Sequence, residues 1–220
     1  MQGRDLILFL PVLLFSVVLH EYAHGWMAKR EGDETAYMLG RLTLNPIPHI
    51  DLFGSILLPL MLVLMRSSFL IGWAKPVPVN PRNYRNYRSG DIRVSLAGIV
   101  VNLLLALCAT VLLIVLVNLQ RFVPGMSPIL EILARMAQYG VLINLVLAFF
   151  NLIPIPPLDG SHVMYHLLPP RLGMAYRSLN QYGMLILLAV MFLARPLFGL
   201  LMAPAFYLYG IAMTVVQLWT

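Results

Sequence analysis

Residues 20–24 read His20-Glu21-Tyr22-Ala23-His24. On an α-helix, positions four apart share one face and stand about 6 Å apart along the axis. Two imidazoles so placed can share one zinc ion, and Glu21 is offset toward a water on that ion, where a carboxylate acts as general base. Catalytic zinc takes three protein ligands and keeps a fourth position open. The best third ligand is Asp159, which closes the Pro-rich stretch Asn151 to Gly160. Prolines hold such a stretch extended just past an apolar helix. The local alternative is that Asp159 caps or turns the chain into its next element. His162 and His166, also four apart, are rival ligands that read more simply as the start of an interfacial helix.

The setting of these residues is apolar. Hydrophobic residues make up 60% of the 220-residue chain and charged residues 11%, with a mean hydropathy of +0.82. Soluble domains carry about 25% charged residues, so the composition indicates an integral membrane protein in contact with lipid. The net charge of +6 does not indicate nucleic acid, because the basic residues fall in short gaps between apolar runs, where membrane topology signals belong. A single cysteine, Cys108, excludes an internal disulfide framework and a multi-cysteine zinc site.

A membrane-crossing helix needs about 20 apolar residues. Leu6 to Met27, Ile92 to Leu119 and Tyr139 to Ile155 are candidate spans, followed by the shorter runs Leu179 to Ala194 and Pro196 to Leu218. The metal motif thus lies inside a membrane helix. Ionisable groups there cost about 2.5–3.5 kcal/mol each on insertion scales and are functional as a rule. Leu52 to Ala74 differs from the other runs. Its unbroken apolar part is short, contains Pro59 and stops at Arg66, so it reads as re-entrant rather than spanning. The Pro-punctuated pieces Leu42 to Pro46 and Lys75 to Pro81 on either side suit edge strands. Arg82 to Arg93 reads as a polar, basic loop.

The expected architecture is an all-α polytopic membrane protein with about five transmembrane helices. A re-entrant segment flanked by short membrane-associated β-strands completes it. All 220 residues form one domain, with a catalytic core at about 6–165 and a C-terminal helical pair at about 179–218.

The chain resembles the site-2 protease family of intramembrane zinc metalloproteases. The resemblance rests on His20-Glu21-Tyr22-Ala23-His24 within a membrane helix and on the Asn-x-x-Pro-x-Pro-x-Leu-Asp-Gly pattern from Asn151 to Gly160. Residues Ala97 to Asn102 are similar to the family's Ala-Gly-Pro-x-x-Asn element, with Ile99 in place of the proline. Residues Gly40 to Pro46 and Gly72 to Pro81 resemble the compact prokaryotic branch that lacks PDZ and CBS domains. The resemblance implies one zinc held by His20, His24 and Asp159, with Glu21 as general base. It also implies that Asn151 donates to the oxyanion or pins the substrate backbone, although pairing with a buried carbonyl is the alternative. The implied activity is hydrolysis of peptide bonds within or near transmembrane segments of membrane protein substrates. Substrate strands would add to Leu42 to Asn45 and Pro76 to Val79.

If His20, His24 and Asp159 share one metal, their spans end at the same membrane depth and run parallel. Ile92 to Leu119 then supplies the single crossing between them. Lys29, Arg30, Arg41, Arg66, Lys75, Arg82, Arg85, Arg88, Arg93, Arg171 and Arg177 fall on the metal side and Arg4, Arg121, Arg135 and Arg195 on the other, a split of 11 to 4. By the positive-inside rule the site faces the cytoplasm. His49 lies near that mouth, and Asp51 either orients a zinc-bound imidazole or caps a helix at Leu52. A membrane metal-ion transporter would need polar groups on both sides of the site, and before His20 the first run offers only Ser16. A catalytically inactive scaffold would have no use for Glu21 beside a three-ligand site.

Overall fold

The computed structural model describes residues 3–57, 61 and 74–220. Eight α-helices are described: α1 (Gly3–Glu31), α2 (Thr35–Met38), α3 (Tyr87–Phe122), α4 (Ser127–Leu152), α5 (Asp159–Leu167), α6 (Pro170–Ser178), α7 (Gly183–Phe192) and α8 (Arg195–Trp219). Among the described residues, four helices are long and apolar enough to cross a membrane: α1, α3, α4 and α8.

Their directions follow from which residues touch. Val12 lies beside Gly140, Phe9 stacks edge-on against Tyr139, and Ser16 bonds Asn144, so α1 and α4 run parallel. His24 meets Val94 and His20 meets Asn102, so α3 runs against α1. Met202 and Ala205 share a buried cluster with Ala106, Val141 and Leu145, whereas Val216 packs with Leu116, Leu130 and Ala134. Helix α8 is therefore antiparallel to α4 and parallel to α3. This two-up, two-down bundle needs close backbones where apolar lipid gives no driving force between helices. A Cβ on Gly140 would stand 3.2 Å from the Ala109 Cβ, so the glycine lets α3 and α4 approach. Val100, Leu104, Leu107, Val111 and Val115 of α3 are all exposed, an apolar stripe suited to lipid.

The expected spans differ from this in three places. Leu179 to Ala194 does not form a fifth span. Leu179–Tyr182 is a 3-10 turn and α7 has only 10 residues, about 15 Å of rise against a hydrocarbon core of about 30 Å. Because α8 then starts at the metal end, Arg195 moves to that side; Arg66 lies outside the described residues. Helix α4 begins at Ser127, not Tyr139, because the polar pair Glu131 and Arg135 sits at helical spacing and closes at 2.7 Å. The basic stretch is no loop beyond Asn86, whose side chain caps α3 by accepting from the Ser89 amide at 3.0 Å.

There is no strand among the described residues, so the edge strands expected at Leu42 to Pro46 and Lys75 to Pro81 do not form. Their backbone groups are bonded elsewhere. The Lys75 amide donates to the His49 carbonyl (2.9 Å), the Val77 amide to Glu21 and the Asn80 amide to Asp33. Arg41 donates to the carbonyls of Lys75 and Pro76, while Pro76 and Pro78 have no N–H to offer a ladder. On the other piece, the Thr43 carbonyl accepts from His49, and the Asn45 amide donates to the Thr43 hydroxyl oxygen. Of Leu52 to Ala74, residues 58–60 and 62–73 lie outside the described residues; Leu52–Leu57 is a turn of π-helix, and the chain on either side meets at the His49–Lys75 bond.

Candidate metal centre

Helix α1 carries His20, Glu21 and His24, and Asp159 is the first residue of α5. The parallel course of α1 and α4 brings the ends of both spans to one level, and the loop 153–158 carries Asp159 back over the histidines. His20 Nε2 and His24 Nε2 are 2.9 Å apart, and Asp159 Oδ2 stands 3.2 and 3.3 Å from them. Among the described residues this is the one group of three or more His, Cys, Asp or Glu side chains able to share an ion.

The outer nitrogens decide what this triangle can hold. His24 Nδ1 donates to the Val94 carbonyl at 2.7 Å, and a carbonyl only accepts, so the proton sits on Nδ1. His20 Nδ1 donates to Asn102 Oδ1 at 2.5 Å. Both Nε2 atoms therefore turn lone pairs inward, where they meet a carboxylate oxygen that is buried and has no hydrogen-bond donor. Three acceptors facing one point repel unless a cation lies between them. Ligands about 2.0–2.1 Å from a tetrahedral zinc stand about 3.3 Å apart, close to the three distances found. The residues fit the metal.

Gly98 of α3 makes the pocket for the imidazoles. A Cβ there would lie 2.5 Å from both His20 Cε1 and His24 Nε2. At Gly160 a Cβ would run into the Leu152 carbonyl oxygen, so the glycine after Asp159 lets α5 fold back onto the end of α4. Glu21 Oε2 accepts from the Val77 amide at 2.8 Å, and Val77 itself is buried against Gly25.

The rival residues lie elsewhere. His166 Nε2 is 2.8 Å and His162 Nδ1 3.4 Å from Asp91 Oδ2, so both histidines serve a carboxylate of α3. The hydrogen bond to Asp91 holds the His162 imidazole above its ordinary range despite burial. His166 also offers its carbonyl to Arg88 at 2.7 Å. Asp51 accepts from the Gly54 amide at 2.6 Å, the capping alternative. His49 is buried and bonds Thr43. Asn151 Nδ2 donates to the Leu147 carbonyl one turn back, at 3.0 Å, the carbonyl pairing left open above. Sequence reasoning missed Asp91 and Asn144, since neither belongs to a spaced motif and both acquire meaning only through packing.

The family model described as Peptidase family M50 matches residues 8–134 and 118–194. The chain belongs to peptidase family M50. Among curated proteins it is 38% identical over 183 residues to "Putative zinc metalloprotease YwhC" of Bacillus subtilis (strain 168), covering 81% of this chain and 77% of that one. It is 31% identical over 202 residues to "Putative zinc metalloprotease Rip2" of Mycobacterium tuberculosis (strain ATCC 25618 / H37Rv), covering 90% and 71% respectively. No solved structure matches at a significant level. As an M50 peptidase the chain is a zinc metalloprotease of the site-2 protease type, set in a membrane by its apolar helices. No PDZ or CBS domain is found within these 220 residues.

Proposed function

We propose that this M50 peptidase cleaves peptide bonds within or near transmembrane segments of membrane proteins, at one zinc held by His20, His24 and Asp159. The observation that carries the reading is the convergence of three inward-facing acceptors from α1 and α5. When bound, zinc supplies Lewis acidity, lowering the pKa of water toward neutrality and polarising a carbonyl. Glu21, the next residue on the helix, takes the water's proton and returns it to the leaving amine. Its Oε2 is fixed by the Val77 amide. Asn151, once released from Leu147, donates to the substrate carbonyl or holds the substrate backbone.

The substrate helix must unwind, because its amides are otherwise locked in internal bonds. In this reading Leu42 to Asn45 and Pro76 to Val79 would hold such a strand through groups other than the Lys75 and Val77 amides, which are already bonded. On the same reading residues about 6–165 form the catalytic core, and the C-terminal residues 179–218 brace it. The basic residues at the metal end set that end toward the cytoplasm.

The experiment is zinc quantitation on detergent-purified protein, paired with cleavage of a transmembrane peptide by the parent and by Glu21→Gln. Full zinc in both with turnover only in the parent is expected. Equal turnover in both removes Glu21 from its role.

A further inference from the structure

The buried polar residues below the histidines form a directed chain. Asn144 of α4 donates from Nδ2 to the Gly140 carbonyl at 2.8 Å and to the Ser16 hydroxyl at 2.9 Å. Its Oδ1 accepts from Asn102 Nδ2 at 2.7 Å, and Asn102 Oδ1 in turn faces His20 Nδ1 at 2.5 Å. All three polar side chains, Ser16, Asn102 and Asn144, are at most 3% exposed, within helices that cross the membrane.

The order of donors and acceptors has one solution. A carbonyl cannot donate, so Gly140 fixes the Asn144 amide with Nδ2 toward it and Oδ1 toward Asn102. An acceptor at that point demands Asn102 Nδ2, which turns Asn102 Oδ1 toward His20. His20 must then carry its proton on Nδ1 and present a bare Nε2 to the triangle. Reversing either amide would set like against like, donor facing donor or oxygen facing oxygen, among buried side chains.

We propose that Asn144 is a positioning residue for the metal: from a third helix, through Asn102, it fixes the tautomer and ring orientation of His20. The inference rests on His20 being a zinc ligand. Partners of this kind that orient metal-bound imidazoles contribute about 10- to 100-fold to metal affinity, although none of them touches the ion.

The test compares two near-isosteric replacements in the full-length, detergent-purified chain, with zinc affinity read by chelator competition. Asn144→Leu removes the acceptor for Asn102 and is expected to weaken zinc binding about 10- to 100-fold. Asn144→Asp keeps an oxygen for Asn102 in either protonation state and is expected to stay within about threefold of the parent. A purely packing role predicts the reverse, since leucine suits an apolar interior better than a carboxyl group. Equal affinity in Asn144→Leu and the parent, or an equal fall in both variants, overturns the proposal. If Asn144→Leu does not fold, ¹⁵N histidine spectra of the zinc-loaded parent decide. A proton on His20 Nδ1 supports the chain, and zinc bound through Nδ1 overturns it. A parent that binds no zinc at all overturns the metal-site reading itself, a result distinct from a loaded parent with an indifferent Asn144.

Discussion

Glu21 Oε2 accepts a hydrogen bond from the Val77 amide at 2.8 Å, across a separation of 56 residues in the chain. The carboxylate next to the histidine pair is therefore oriented by a segment from beyond the first span, and the two Pro residues flanking Val77 keep that segment extended. A hydrogen bond to a charged group contributes about 1.5–3 kcal/mol. Val77→Pro, which deletes the donor, is expected to lower kcat about 10- to 100-fold with zinc content unchanged. Val77→Ala keeps the amide and should lose much less. Steady-state cleavage of a transmembrane peptide, together with metal analysis, checks both.

Gly98 makes a second prediction. Any side chain at this position overlaps His20 and His24, and two rings bonded outward to Asn102 and Val94 have little freedom to move away. Gly98→Ala is expected to lower zinc content several-fold. Gly199, where a Cβ meets nothing within 4 Å, is the control: Gly199→Ala should retain full zinc.

Asp91 separates the two histidine pairs. His162 lies on Asp91, not on the metal triangle, so His162→Ala should keep one zinc per chain. Zinc lost in that variant would place His162 among the ligands.

Acid stability is expected to depend on Asp33, which joins the end of α1 to the stretch Asn80 to Asn83. Burial alone would raise its carboxyl. Donors from the Asn80 amide (2.6 Å), the Thr35 hydroxyl (2.5 Å) and amide, and the Asn83 side chain (2.8 Å) outweigh burial and hold it below the usual carboxylate range. A depressed folded-state pKa contributes stability above the unfolded value, about 4, and loses it as pH falls through the folded value. Thermal unfolding in detergent should therefore show Tm falling below about pH 4. Asp33→Asn should lower Tm at neutral pH and flatten that acid limb.

The parts legible in the sequence were those fixed by local spacing. His20 and His24 share a face because four residues make about one helical turn. The parallel course of α1 and α4 followed from asking one metal to meet both Asp159 and the histidines. The start of α4 was not legible, because hydropathy stops at Arg135 while the helix continues through its pairing with Glu131. Nor was the missing β-ladder, since the amides of Lys75, Val77 and Asn80 go to three acceptors far apart in sequence. Asn144 reads as a lone polar residue in an apolar run. Only packing shows that it stands between Ser16 and Asn102.

The most direct measurement of the central claim is zinc-edge X-ray absorption on the purified, zinc-loaded chain. Two imidazole ligands with light oxygen donors and no sulfur are expected, with one imidazole lost in His24→Ala. A zinc site with four imidazoles, or one unchanged in His24→Ala, would contradict the account.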